Sequence, residues 1–193
     1  MQKLLIDHYR DSWNRIGISD RFVADRNLPL FEEAEALHLA EISSSGRAFY
    51  LTPAAAEAWT TMKAAASLDA IEIHIVSAYR SVNRQIELIR QKLNAGRPLD
   101  DILKLLAPPG CSEHHTGRAV DIGTGDVRPV DPDFALTPAF SWLSAHAHRF
   151  GFELSFPQGN VFGYVYEPWH WCFSESAAQQ VAPTDVHTAS LAE

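Results

Sequence analysis

Apolar residues along the chain change between helical and alternating spacing, and proline, glycine or hydroxyl residues mark the changes. Leu4, Leu5, Tyr9 and Trp13 fall roughly on one side of a helix predicted over residues 3–17. Residues 35–51 predict a hairpin around Ser43-Ser44-Ser45-Gly46, whose small polar side chains suit a turn. Thr52-Pro53 pairs a cap residue with a first-turn proline and opens an alanine-rich helix to about Ser67. Ile71, Ile73 and Ile75 then alternate, so 71–76 predicts a strand. Ser81 caps a further helix whose inward stripe is Val82, Ile86, Ile89 and Leu93, and Asn94-Ala95-Gly96 ends it.

A short helix is expected after Pro98, broken by Ala107-Pro108-Pro109-Gly110. Residues 118–123 are short and partly β-branched, the pattern of a strand, and 124–136 read as a loop. Thr137-Pro138 starts a helix carrying Phe140, Leu143, Ala147 and Phe150 on one face, with Gly151 as its stop. Strands are placed near 152–156 and 162–173. The mixture predicts an α+β fold, helices packed around a small antiparallel sheet. With 193 residues, 46% of them hydrophobic, one domain over 1–175 is expected. Within it, 1–70 form an N-terminal scaffold or lid and 71–173 the core; 176–193 give no core pattern and read as a frayed tail.

Charge narrows the partners. Sixteen basic against 24 acidic residues leave a net charge of -8, with no Lys/Arg run to offset it. Nucleic-acid backbones and anionic membrane surfaces are therefore poor partners. The N-terminus has too short an apolar stretch for a signal peptide and no membrane-spanning run follows, so a cytoplasmic protein is expected, or an envelope one if the natural chain is longer. Two cysteines, Cys111 and Cys172, cannot build a disulfide framework.

Three segments concentrate groups that a core does not need. In Ser112-Glu113-His114-His115-Thr116-Gly117-Arg118-Ala119-Val120-Asp121, imidazoles precede a turn glycine and an acid sits inside a strand. Alternation gives Asp121 only Ala119 and Gly123 on its face, leaving space for a cation or donors beside the carboxylate. Glu167-Pro168-Trp169-His170-Trp171 supplies another acid and imidazole. A catalytic zinc takes three protein ligands and leaves a position open, and two histidines with Asp121 meet that need, with Glu167 free to accept a proton from water. By residue type alone, His114 and His115 are equal candidates for the first ligand. Gln85 lies on the inward stripe of its helix, where an amide requires a partner.

Ser112-x-His114-x-x-Gly117-x-Ala119-x-Asp121 followed by Glu167-x-Trp169-His170 resembles the paired motifs of zinc D-alanyl-D-alanine carboxypeptidases of the VanY type, a group that includes L,D-carboxypeptidases. Ser77-Ala78-Tyr79-Arg80-Ser81 with Gln85 resembles that family's third block, and the likeness spans about 71–173. The resemblance implies one zinc ion on His114, Asp121 and His170, carried by the small sheet, and selects His114 over His115. It implies Glu167 as general base and Arg80 as a stabiliser of substrate or oxyanion. Tyr79, Gln85, Ser112 and Trp169 become substrate-side residues, Ser112 by binding a terminal carboxylate. The implied substrate is a peptidoglycan-derived peptide or muropeptide that loses a terminal D-alanine at a D,D or L,D bond.

The plainer readings and rivals are these. His8, His38, His74, His146, His148 and His187 read as surface or hydrogen-bonded histidines. Arg84, Arg90 and Lys92 read as a solvated helix side, and Asp126, Asp131 and Asp133 lack calcium-loop spacing. Trp169 and Trp171 share a side opposite His170 and suit core or pocket walls. A structural site of both cysteines with two histidines would leave Asp121 and Glu167 without a role, and for a Cys111–Cys172 disulfide the sequence offers proximity but no geometry. Rival functions are a cell-wall endopeptidase on the same zinc scaffold and a zinc-containing binding module without turnover.

Overall fold

The computed structural model describes residues 2–125 and 127–175; the expected tail lies outside them. Among the described residues, six α-helices accompany two antiparallel sheets, one of two strands and one of four. Helix α1 (Gln2–Asn14) and α2 (Asp20–Asp25) precede a hairpin of β1 (His38–Ile42) and β2 (Ala48–Leu51). Helix α3 (Pro53–Leu68) starts at the Thr52-Pro53 pair, and β3 (His74–Ser77) follows. Helix α4 (Val82–Asn94) begins at Ser81, whose hydroxyl accepts the Arg84 N–H at 3.1 Å. After α5 (Leu99–Ile102) come a 3₁₀ turn (Glu113–Thr116), β4 (Ala119–Gly123), a second 3₁₀ turn (Pro132–Leu136) and α6 (Pro138–His146). A third 3₁₀ turn (Ala147–Phe150), β5 (Phe152–Leu154) and β6 (His170–Phe173) complete the order.

Three expectations are corrected, and one element is new. The strand expected over 71–76 begins only at His74, because Ile71 lies at the turn closing α3, where its N–H bonds to the Ala66 carbonyl. The strand expected over 162–173 shrinks to β6. Gly159 and Gly163 turn at φ +71° and +69°, and the Asn160 side chain bonds the Tyr164 backbone in both directions, so this stretch is a built loop. The helix after Pro138 tightens to 3₁₀ before Gly151, at φ +78°, ends it. Helix α2 was not expected; its six residues are too few to show periodicity, though its cap, Ser19, accepts the Phe22 N–H.

The four-stranded sheet runs β3-β4-β6-β5. Its register sets Ser77 beside Asp121 and Asp121 beside His170, so one rung carries three polar side chains from three strands. Every residue of β4 is buried. Gly123 is needed there, since a Cβ would lie 2.7 Å from His74 Nε2 and 2.8 Å from Val76 Cγ2.

Two apolar clusters flank this rung. The larger joins Trp59 and Met62 of α3 to Ile75, Val120, Ile122, Leu143, Phe152, Trp169 and Trp171. The smaller joins Tyr9, Trp13, Val23, Ile89, Ile102 and Cys111. Residues 1–70 thus complete both cores, and their first part also props the loop before the Ser112–Asp121 segment: Trp13 Nε1 donates to the Pro109 carbonyl at 2.7 Å, and Tyr9 covers Gly110. Among the described residues no helix is long and apolar enough to cross a membrane.

Candidate active site

His114, Asp121 and His170 offer donor atoms that all lie within 4.8 Å of one another, and all three are buried. Asp121 and His170 come from paired strands, while His114 comes from the 3₁₀ turn that precedes β4. Gly117 lets the chain reverse there at φ +64° and accepts the Thr52 N–H, tying the turn to the start of α3. His114 Nδ1 donates to the Ala78 carbonyl at 2.8 Å, which leaves Nε2 facing Asp121 Oδ2 at 3.3 Å. His170 Nδ1 lies 3.0 Å from Asp121 Oδ1. Two nitrogens and a carboxylate converging in a buried space suit a divalent cation by the chemistry of the donor set.

The electrostatics match. Burial raises the Asp121 carboxyl, but the charge of His114 and hydrogen bonds from both histidines hold it well below the usual carboxylate range. Burial opposes protonation of His170, yet its bonds to Asp121 and Glu113 outweigh that and raise its pKa. His114 is lowered, chiefly by burial. A cation entering here therefore meets an ionised carboxylate and displaces a proton from His170.

His115 is placed elsewhere. Its ring is fully buried, donates from Nδ1 to the Arg80 carbonyl at 2.6 Å and accepts the Gly110 N–H at Nε2. Burial pushes its pKa down to about 4, so it stays neutral as a clasp between the Arg80 segment and the Gly110 loop. Adjacent histidines on a tight turn thus face different partners.

A cavity of about 270 Å³ opens on the cluster. Arg80, Ser112, Glu167 and Trp169 line it. Arg80 donates to Gln85 Oε1 and Ser77 Oγ, each at 3.0 Å, and stands 3.9 Å from Asp121 Oδ2. Gln85 does not line the cavity. Its amide is consumed by Arg80 and by the Ala107 carbonyl, so it fixes the guanidinium from behind. Tyr79 also stands apart, its hydroxyl 3.4 Å from Glu33. Glu167 is held at the wall by its N–H to the Phe156 carbonyl and by its own carbonyl accepting the His170 N–H. Burial pushes its pKa up to about 7.

Several wall residues escaped the sequence reading. Lys92 lines the cavity with Leu105, Leu106 and Val130, although helical spacing assigns it to the solvated side; the end of α4 passes the cavity mouth. Phe156 packs against the His170 ring at 4.8 Å between centroids. Tyr164 is also part of the wall. Apart from Lys92, these come from loops, which carry no periodic signal. Cys111 and Cys172 are both free thiols outside the donor cluster, and burial raises Cys111 to about 12.

The family model for VanY, D-alanyl-D-alanine carboxypeptidase, matches residues 48–176. The chain belongs to the VanY family of carboxypeptidases. It is 31% identical over 152 residues to the bifunctional D-Ala-D-Ala dipeptidase and D-Ala-D-Ala carboxypeptidase VanXYC of Enterococcus gallinarum, covering 76% of this chain and 79% of the relative. Its fold is similar to that of the LdcB LD-carboxypeptidase, with a TM-score of 0.67, 29% identity, and coverage of 79% of this chain and 75% of the other. It also matches a VanY D,D-pentapeptidase variant from a VanB-type resistance cassette, in complex with Zn(II), at a TM-score of 0.58 and 24% identity over 80% of this chain and 86% of the other. In this VanY-family chain the matched segment begins at β2 and contains all three site segments, whereas α1, α2 and β1 precede it.

Proposed function

We propose that this protein is a zinc-dependent carboxypeptidase that removes a terminal D-alanine from peptidoglycan stem peptides, with one ion held by His114, Asp121 and His170. The observation that carries the reading is the set of three buried donors beside a buried arginine and an acid of elevated pKa, all on one cavity. When bound, the zinc supplies a Lewis acid for a peptide carbonyl and lowers the pKa of water to about 7.

Glu167 then has two tasks as general base and acid. It takes a proton from the attacking water and delivers it to the departing amine, and burial that raises its pKa toward neutrality suits both directions. Arg80 offers guanidinium N–H groups to the substrate's terminal carboxylate or to the oxyanion that develops during attack. Ser77 and Gln85 hold that guanidinium before substrate arrives, so little reorganisation is required. Ser112 lines the same space and supplies a hydroxyl for the terminal carboxylate. Trp169 shapes the wall. The relatives named above act on D,D and L,D bonds, so both stem pentapeptide and tetrapeptide are proper substrates to test.

The test is a pair of peptides with the same sequence, one with a free C-terminus and one amidated. Loss of one alanine from the free peptide alone is expected. Cleavage of the amidated peptide at an internal bond would instead indicate an endopeptidase.

A further inference from the structure

The second nitrogen of His170 has a partner to which neither the motif nor the donor cluster assigns a role. His170 presents Nδ1 to Asp121 and is bonded at Nε2 to Glu113 Oε2 at 2.9 Å. His114 is arranged in the same way, with Nε2 toward the cluster and Nδ1 on the Ala78 carbonyl. Each ring thus gives one nitrogen to the cluster and the other to an acceptor outside it. For His114 the acceptor is backbone; for His170 it is a side chain, and Glu113 keeps it within reach because its own carboxylate is largely buried, 21% exposed.

Building on the zinc reading above, we propose that Glu113 is the positioning residue of the metal centre: it accepts the Nε2–H of His170, and so fixes the tautomer and ring angle that aim the Nδ1 lone pair at the ion. A carboxylate behind a ligating imidazole also raises its basicity, and loss of such a partner typically weakens metal binding about 10–100-fold. The location is built by the fold. Glu113 opens the 3₁₀ turn that carries His114, so a single turn supplies one ligand and orients the ligand on the opposite strand.

The test is zinc affinity, measured by competition with a chromophoric chelator for wild type, Glu113→Gln and Glu113→Ala. The alanine variant should bind zinc about 10–100-fold more weakly. The glutamine variant should lie between the alanine variant and wild type, because its amide oxygen still accepts the Nε2–H but carries no charge to raise the basicity of the ring. Equal affinity in all three would overturn the role of Glu113. Equal loss in both variants would overturn it too, since that pattern belongs to a residue that binds the ion itself. If the variants do not fold, the imidazole ¹⁵N spectrum of zinc-loaded wild type decides: a protonated Nε2 on His170 supports the assignment, and a metal-bound Nε2 overturns it. Failure of wild type to bind zinc would overturn the reading beneath it, a separate outcome.

Discussion

On the proposed reading, single side chains divide into those that would hold the ion and those that would move protons, and substitution separates them. Glu167→Gln removes the base but no donor of the cluster. It should keep zinc affinity while kcat falls by about 10²–10⁴, measured by metal content and steady-state rates together. Asp121→Asn should lose both, because a neutral amide replaces the carboxylate that both histidines face. The pH profile follows from Glu167, which must be ionised to accept a proton. Activity should therefore fall as pH drops through its pKa. Burial is the largest cause that raises that pKa to about 7, and a cation bound beside it would pull the limb lower, so the acid limb of kcat/KM belongs below pH 7. A rate that kept rising with acidity would contradict the base. Residue chemistry was legible in the sequence where motif spacing was tight. The choice of His114 over His115 needed that spacing, and the structure supplies its physical reason: the two rings are fastened to Ala78 and Arg80, and only the first faces Asp121.

Among the elements, the loop before the Ser112–Asp121 segment is a tightly packed joint. Gly110 has φ +85° and a Cβ would collide with the Tyr9 ring, whereas Gly46, at φ +83°, has open space around it. Gly46→Ala should cost about 1–2 kcal/mol from backbone conformation alone. Gly110→Ala adds a steric clash in a packed site, so its thermal midpoint should drop further than that of Gly46→Ala in a side-by-side melt. Equal drops would mean that Tyr9 yields without cost. At this scale the sequence was readable wherever local chemistry marks an end, as at Thr52-Pro53, Ser81 and Thr137-Pro138. It was not readable across 157–169, where glycine turns and an asparagine clasp override apolar residues that otherwise suggest a strand. Nor could it show that Gln85 serves Arg80 instead of facing the cavity, because that depends on a contact with the Ala107 loop.

For the whole molecule, the His114, Asp121 and His170 cluster gathers where β4 and β6 pair, so on the proposed zinc reading a bound ion stabilises the fold. Zinc at a hundred times its Kd should add about 2.7 kcal/mol. For a chain of this size that corresponds to a rise of about 5–10 °C in Tm. Calorimetry of chelator-treated protein with and without added zinc checks this, and identical midpoints would remove the coupling. Zinc-dependent removal of a terminal alanine is checked by mass spectrometry of stem tetrapeptide and pentapeptide incubated with metal-stripped protein, then again after one equivalent of zinc. No product is expected from the stripped protein, and loss of one terminal alanine from at least one peptide is expected once zinc is restored. Equal cleavage in both states, or none with zinc present, would contradict it.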